Sequence, residues 1–285
     1  MRVLILGGTG TIGAAVITAL QRRQHEVVAL ARSAAAAERL SAAGSLVVLG
    51  NIRAPAEWIG KVDTVDAVVQ VAGDFEADSG AVERALLAEL LPRLAGKTFV
   101  YTGGCWLYGP SGEHITTEES AFNPPSEWAW SLDHLRSVQT ATRVRGIVIH
   151  PAMVYERDGG VFAQFRRDID LLGRVRVVGH EGVRWPVVHR SDIGELYALA
   201  LERGAPGSSY IGASVESIRV GMIARAMARR AGINGSPLIR SEDDIAAELG
   251  EWARGYAIDQ SMSGAKARRE LGWNPVHTDP IADVS

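Results

Sequence analysis

Short β-branched apolar runs alternate with helical periodicity through the first half of the chain. Residues 2–6, 26–31, 45–49, 66–71 and 97–102 read as strands, because each is almost continuously apolar and bounded by turn-forming residues. Between them, 11–23, 34–43 and 79–94 carry apolar side chains at helical spacing. Strands without a polar face, separated by helices, predict a parallel sheet covered on both sides, a doubly wound α/β layout. Past Tyr101 the pattern loosens into a Gly-, Pro- and Ser-rich loop over 103–125, a helix over 126–143 and a sixth strand over 146–150. Strands at 175–178, 187–189 and 208–211 and helices at 191–203, 217–231 and 264–271 follow. This predicts a core over 1–155 and, over 156–285, mainly a smaller C-terminal lobe at the carboxyl edge of the sheet, with some elements returning to the core.

The first strand runs straight into Gly7-Gly8-Thr9-Gly10-Thr11-Ile12-Gly13 and then into a helix. Gly7 permits the tight turn, Gly10 lets backbone approach a pyrophosphate, and Gly13 lets helix and strand pack closely, while Thr11 and Ile12 bring amides to the helix start. The turn predicts a dinucleotide site. At the end of the second strand, an acid that would accept from a ribose hydroxyl and repel a phosphate is missing; Arg32 and Ser33 stand there instead. A guanidinium fork with a neighbouring hydroxyl suits a 2′-phosphate, which points to NADP(H) in preference to NAD(H). Arg32 as an ordinary solvated cation is the alternative.

Composition narrows the partners. The 285 residues carry 30 basic and 33 acidic side chains, net −3, with 47% hydrophobic residues, so the chain is expected to fold and has no basic excess to draw nucleic acid. Its single cysteine, Cys105, excludes an internal disulfide framework and a cysteine metal cluster, consistent with a cytoplasmic setting. No apolar stretch is long enough to span a membrane. The expected partner is a small-molecule substrate.

With these motifs in hand the chain resembles the extended or atypical short-chain dehydrogenase/reductase superfamily, in its NAD-dependent epimerase/dehydratase branch, over nearly its whole length. Besides the glycine turn, Gly50-Asn51-Ile52-Arg53 resembles the segment after the third strand that borders an adenine, with Asn51 where an acid is usual. Val71-Ala72-Gly73 looks like the fourth-strand turn beside the cofactor, and Tyr101 to Gly109 like the fifth-strand segment ending in Tyr-Gly. Arg145 to Tyr155 resembles the sixth strand, whose Pro151 turn flanks the nicotinamide. Trp185 to Ile193 and Ala267 to Pro275 are similar to the opening of the substrate lobe and the closing helix. The resemblance implies a Rossmann-type fold.

The resemblance also implies a Ser or Thr from the strand-five loop and a Tyr with a Lys four residues later. Those positions fall on Gly104, Trp128 and Leu132, and 124–139 contains no Tyr or Lys. An indole donates a hydrogen bond but is no physiological acid. Tyr108, Cys105 and Tyr155 are the candidates for replacement chemistry, each with a bland alternative as a packing side chain; His189, at the opening of the lobe, has the same alternative. Trp106, Trp128, Trp130 and Trp185 belong to a set of seven Trp in the chain. On one continuous helix Trp128 and Leu132 would share a face and Trp130 would point away, leaving Trp128 as a wall of an apolar pocket.

Three functions follow. The first is an NADPH-dependent reductase acting on a small apolar or aromatic substrate without the usual triad, favoured where conjugated or iminium-like substrates demand less of a protein acid. The second is a non-redox cyclase, isomerase or eliminase on the same fold, and the third a non-catalytic NADP-sensing protein. In the family, the helices over 79–94 and 126–143 often pair across a two-fold axis. The wide apolar face of Val82, Leu86, Leu87, Leu90 and Leu91 must be buried against the sheet or a partner, which makes a homodimer an expectation.

Overall fold

The computed structural model describes residues 1–73 and 76–285. Its first half builds strands β1 (Arg2–Leu6), β2 (Glu26–Ala31), β3 (Leu46–Leu49), β4 (Ala67–Gln70), β5 (Thr98–Thr102) and β6 (Arg145–Pro151). Helices α1 (Thr11–Arg22), α2 (Ala34–Ala42), α3 (Ser79–Leu90) and α4 (Ser131–Gln139) alternate with them. The second half adds β7 (Met153–Glu156), β8 (Gly159–Gly160), α5 (Ala163–Leu172), β9 (Arg176–Val178), β10 (Arg184–His189) and α6 (Arg190–Arg203). It closes with β11 (Ser209–Gly212), β12 (Val215–Arg219), α7 (Val220–Arg230), β13 (Leu238–Arg240), α8 (Glu242–Leu249), α9 (Ala265–Leu271) and α10 (Pro280–Val284).

The main sheet is parallel, in the order β3-β2-β1-β4-β5-β6-β11. Val3, Leu4, Ile5 and Leu6 are fully buried because both faces are covered. Val16, Ile17 and Leu20 of α1, with Ile193, Leu196 and Tyr197 of α6, fill one face. Leu86, Leu87 and Leu90 of α3, with Leu135 and Val138 of α4, fill the other. The strand order reverses between β1 and β4, which opens a crevice at their carboxyl ends where such sheets hold ligands. The fold is therefore the expected Rossmann-type doubly wound α/β fold.

Elements of the second half return to this sheet as β11 and α6. The rest form a four-stranded sheet, β12-β10-β7-β8, and a pair, β13-β9. Asp168, almost wholly buried, anchors the latter region by accepting from Arg176 backbone N at 3.0 Å, Nε at 2.9 Å and Nη2 at 2.7 Å. The carboxylate of Asp192 accepts from the amides of Val276 and His277, which ties the C-terminal segment to α6.

Several expectations shift. The helix over 79–94 stops at Leu90 and tightens into a 3₁₀ turn at Leu91–Leu94, since Pro92 supplies no N–H to continue it. The helix over 217–231 starts only at Val220, because Val215–Arg219 pairs antiparallel with β10. The helix over 126–143 shrinks to α4, preceded by a separate 3₁₀ turn at Ser126–Trp128. Most of the apolar face expected to be buried against the sheet or a partner is buried within the chain: Leu86, Leu87 and Leu90 lie against the sheet, Leu91 packs beside them, and Val82 lines a cavity. Among the described residues no helix is long and apolar enough to cross a membrane, and no cluster of metal-ligating side chains occurs.

Candidate functional site

The glycine turn closes the crevice from below. A Cβ on Gly13 would stand 2.1 Å from the carbonyl oxygen of Gly7, so helix α1 rests directly on the turn, and Gly7 itself has φ +93°, open to glycine at little cost. Gly10 is the N-cap of α1 and has no side-chain cap, which leaves first-turn amides aimed out of the helix start. Uncapped amides on a twelve-residue helix make a cradle for an anionic group.

From that turn a cavity of about 570 Å³ extends along the carboxyl ends of β4, β5 and β6. Of the residues expected at the dinucleotide, Gly10, Thr11, Ile12, Gly13, Ile52, Val71, Ala72, Gly73 and Pro151 line it, and Gly7, in the turn beneath, does not. Arg32, Ser33 and Asn51 lie outside its wall, just past the carboxyl ends of β2 and β3. Arg32 is exposed, and Ser33 caps α2 by accepting from Ala36 N at 3.2 Å. Asn51 accepts from Arg53 N through its side chain and from Trp58 Nε1 through its carbonyl.

The candidates for replacement chemistry separate. Cys105 lines the cavity, but burial pushes its thiol up to about 12, and its Sγ packs 3.9 Å from Met153 Sδ. It is a neutral thiol at physiological pH. Tyr108 faces away from the cavity and packs on Phe122 and His150, with its pKa raised by burial. Tyr155 is fully buried outside the cavity lining, and its hydroxyl donates to Asp283 at 2.7 Å. His189 caps α6 and stacks on His277, also away from the cavity.

Around the positions of the usual triad, nothing lies within 4 Å of where a Cβ on Gly104 would stand, so that position is open space in the cavity wall. Trp128 lines the cavity and Leu132 does not; it packs into the apolar layer with α3. The expectation that Trp130 points away is overturned. Because Trp128 ends a 3₁₀ turn and α4 begins only at Ser131, the helical spacing does not hold, and Trp128, Trp130 and Ser131 all reach the cavity. Trp185 is a support instead of a wall: it is buried, and its Nε1 donates to the carbonyl of Tyr256.

Two groups of residues escaped the sequence reading. The first is an aromatic wall in which Trp252 and Tyr256 join Trp106, Trp128 and Trp130. Trp106 stacks with Trp252 at 6.3 Å and meets Tyr256 edge-on at 5.4 Å. Trp128 lies 6.3 Å from Trp106 and 6.2 Å from Trp130. Gly255 allows this closeness, since a Cβ there would enter the Trp106 ring at 2.4 Å. The second is a polar network under the same cavity. Gln70, buried at the end of β4, accepts from Ala72 N and donates to Glu83 Oε1 at 3.3 Å. Burial, with the charge of Glu83 and a hydrogen bond to it, drives Tyr101 well above the ordinary tyrosine value. Ser79, Val82, Glu83 and Leu86 all line the cavity at spacings of one helical face, so an acid between Val82 and Leu86 on that face was the readable signal. Trp252 and Tyr256 gave none, lying some 150 residues from Trp106.

The model of the NAD dependent epimerase/dehydratase family matches residues 3–212. The chain belongs to this family. An uncharacterised Schizosaccharomyces pombe protein is 26% identical over 298 residues, spanning 100% of this chain and 98% of that one. Among solved structures of similar fold, dTDP-glucose 4,6-dehydratase of Bacillus anthracis in complex with NAD has a TM-score of 0.80 at 16% identity, covering 100% of this chain and 95% of that chain. A human epimerase family protein with NADPH has 0.77 at 19%, covering 100% and 98%. The crevice of this chain carries an indole at Trp128 and a bare wall at Gly104.

Proposed function

We propose that the chain is an NADP(H)-dependent oxidoreductase that reduces a small apolar or aromatic substrate without a Ser-Tyr-Lys group. The observation that carries this reading is the single cavity running from the uncapped start of α1 to the aromatic wall, which lets a dinucleotide and a planar substrate meet in one space. Its volume is in the range of small-molecule sites. Gly7, Gly10, Thr11, Ile12 and Gly13 would hold the pyrophosphate, Arg32 and Ser33 the 2′-phosphate, Asn51 and Ile52 the adenine side, and Val71, Ala72, Gly73 and Pro151 the nicotinamide half. A bound NADPH supplies the hydride.

The chain's own contribution is orientation and exclusion of water. Two hydroxyls at the cavity are turned to backbone: Thr102 Oγ1 donates to Gln70 O at 2.6 Å, and Ser131 Oγ to Trp128 O at 2.5 Å, while the Tyr101 phenol is bonded to Glu83. Cys105 holds its proton, and Gly104 offers none. Rate enhancement on this reading comes from holding the two reactants face to face between the strand ends and the indoles. The test is loss of the reduced-nicotinamide absorbance when purified protein meets NADPH and a panel of aromatic carbonyl, enone and iminium compounds. Turnover with NADPH is expected; no loss with any class would overturn the proposal.

A further inference from the structure

Reduction of a carbonyl needs a proton for the developing alkoxide, and Gly104, Trp128 and Leu132 supply none. The chain has six tyrosines, which differ in what holds their hydroxyls. Tyr155 is bonded to Asp283, Tyr197 to Thr102 and Tyr210 to Ser208, and none of the three lines the cavity. Tyr108 is also absent from the lining, and its hydroxyl is buried without a partner. Tyr101 and Tyr256 do line it, and Tyr101 is tied to Glu83. The Tyr256 hydroxyl has no hydrogen-bond partner among the described residues, and unlike that of Tyr108 it is not sealed from solvent. Burial raises its pKa, so the proton-bearing phenol prevails at physiological pH.

Tyr256 is fastened to the loop that contains Gly104. Its ring meets Trp106, two residues past Gly104, edge-on at 5.4 Å and lies 5.9 Å from Trp185 on another side. Gln260, almost wholly buried, donates through Nε2 to the carbonyls of Cys105 at 2.8 Å and Gly109 at 2.7 Å. One buried amide thus ties the segment that carries Tyr256 to both ends of the turn after β5. Resting on the oxidoreductase reading above, we propose that Tyr256 is the proton donor of the reduction and that the substrate is a carbonyl compound. The carbonyl carbon takes up hydride from a reduced nicotinamide dinucleotide, which is oxidised, and the C=O π pair moves onto oxygen. That oxygen takes the proton as the Tyr256 O–H bond breaks, giving an alcohol; water from solvent then returns a proton to the phenolate. An alkoxide is a far stronger base than a phenolate, so the transfer runs downhill even from a buried phenol.

The test compares two bicyclic probes of similar shape with NADPH and the full chain: tetralone, whose reduction needs a proton, and N-methyl-dihydroisoquinolinium, whose reduction needs none. Tyr256→Phe keeps the ring and removes the hydroxyl, and it should slow tetralone reduction on the order of 100-fold while leaving the iminium rate within about twofold. A loss under about tenfold for tetralone, or an equal loss for both probes as a purely structural role would give, overturns the proton donor while NADPH consumption keeps the oxidoreductase reading. Consumption with the iminium probe alone overturns the carbonyl assignment, and no consumption with either overturns the oxidoreductase reading itself. A second readout needs neither turnover nor nucleotide. The infrared carbonyl stretch of tetralone bound to wild type should lie below its position in hexane, as a hydrogen bond to the phenol requires, and return toward it in Tyr256→Phe. Should the variant not fold, an unshifted stretch in wild type overturns the inference by itself.

Discussion

Replacing Arg32 by Ala tests the nucleotide choice with little collateral damage. Arg32 is exposed just past β2, and no hydrogen bond or ion pair among the described residues engages its side chain. Its removal breaks nothing in the free protein, so stability should stay within about 0.5 kcal/mol of wild type. The whole effect then falls on the ligand. A charge-assisted bidentate contact to a 2′-phosphate contributes about 1.5–3 kcal/mol, and solvent exposure places this one toward the lower end, about 2 kcal/mol. That corresponds to roughly a 30-fold loss of NADPH affinity with NADH unchanged. Ser33 is a weaker contributor, because its oxygen already serves as the cap of α2 and only its proton remains to donate. Isothermal titration of both nucleotides against wild type and Arg32→Ala measures the ratio directly. An unchanged NADPH-to-NADH ratio would refute the assignment of Arg32 to a phosphate.

Gly13→Ala should fold less stably by about 1–3 kcal/mol and bind either nucleotide poorly, because its Cβ would stand 2.1 Å from Gly7 O and must push α1 off the turn; a wild-type urea midpoint would contradict this. Gly104→Ser, with open space at its Cβ, should melt within a degree or two of wild type, and a large drop by calorimetry would show that the wall is closed. Cys105 should react slowly with a thiol reagent at pH 8 in the native state and rapidly in denaturant, since burial holds it near 12; fast native labelling would count against it. His150 is buried, and desolvation lowers its pKa to about 4 from 6.5. The unfolded chain therefore binds this proton more readily, and stability should fall as pH drops from about 6.5 to about 4, by on the order of 3 kcal/mol. In His150→Phe that portion of the pH dependence, followed by urea unfolding, should disappear.

Local chemistry by itself determined the first half of this protein. A run such as Arg2–Leu6 followed by Gly7 to Gly13 specifies strand, turn and helix through neighbours in sequence, since apolar continuity, glycine geometry and helix starts are short-range effects. The absence of hydroxyl, phenol and amine at Gly104, Trp128 and Leu132 was equally legible, because it is a matter of identity. Only the tertiary structure decided what fills the site. Trp252 and Tyr256 meet Trp106 through packing of distant segments, and Glu83 acquires meaning from Gln70 and Tyr101 at the ends of two other strands. Trp130 turned toward the cavity because a 3₁₀ turn precedes α4, a break in helical phase of two or three residues that reverses which face a side chain occupies. Tyr108 and Tyr155 left the list through tertiary packing: their sequence neighbours border the cavity, but Tyr108, at the end of a 3₁₀ turn, packs on Phe122 and His150, and Tyr155 is buried with its hydroxyl on Asp283.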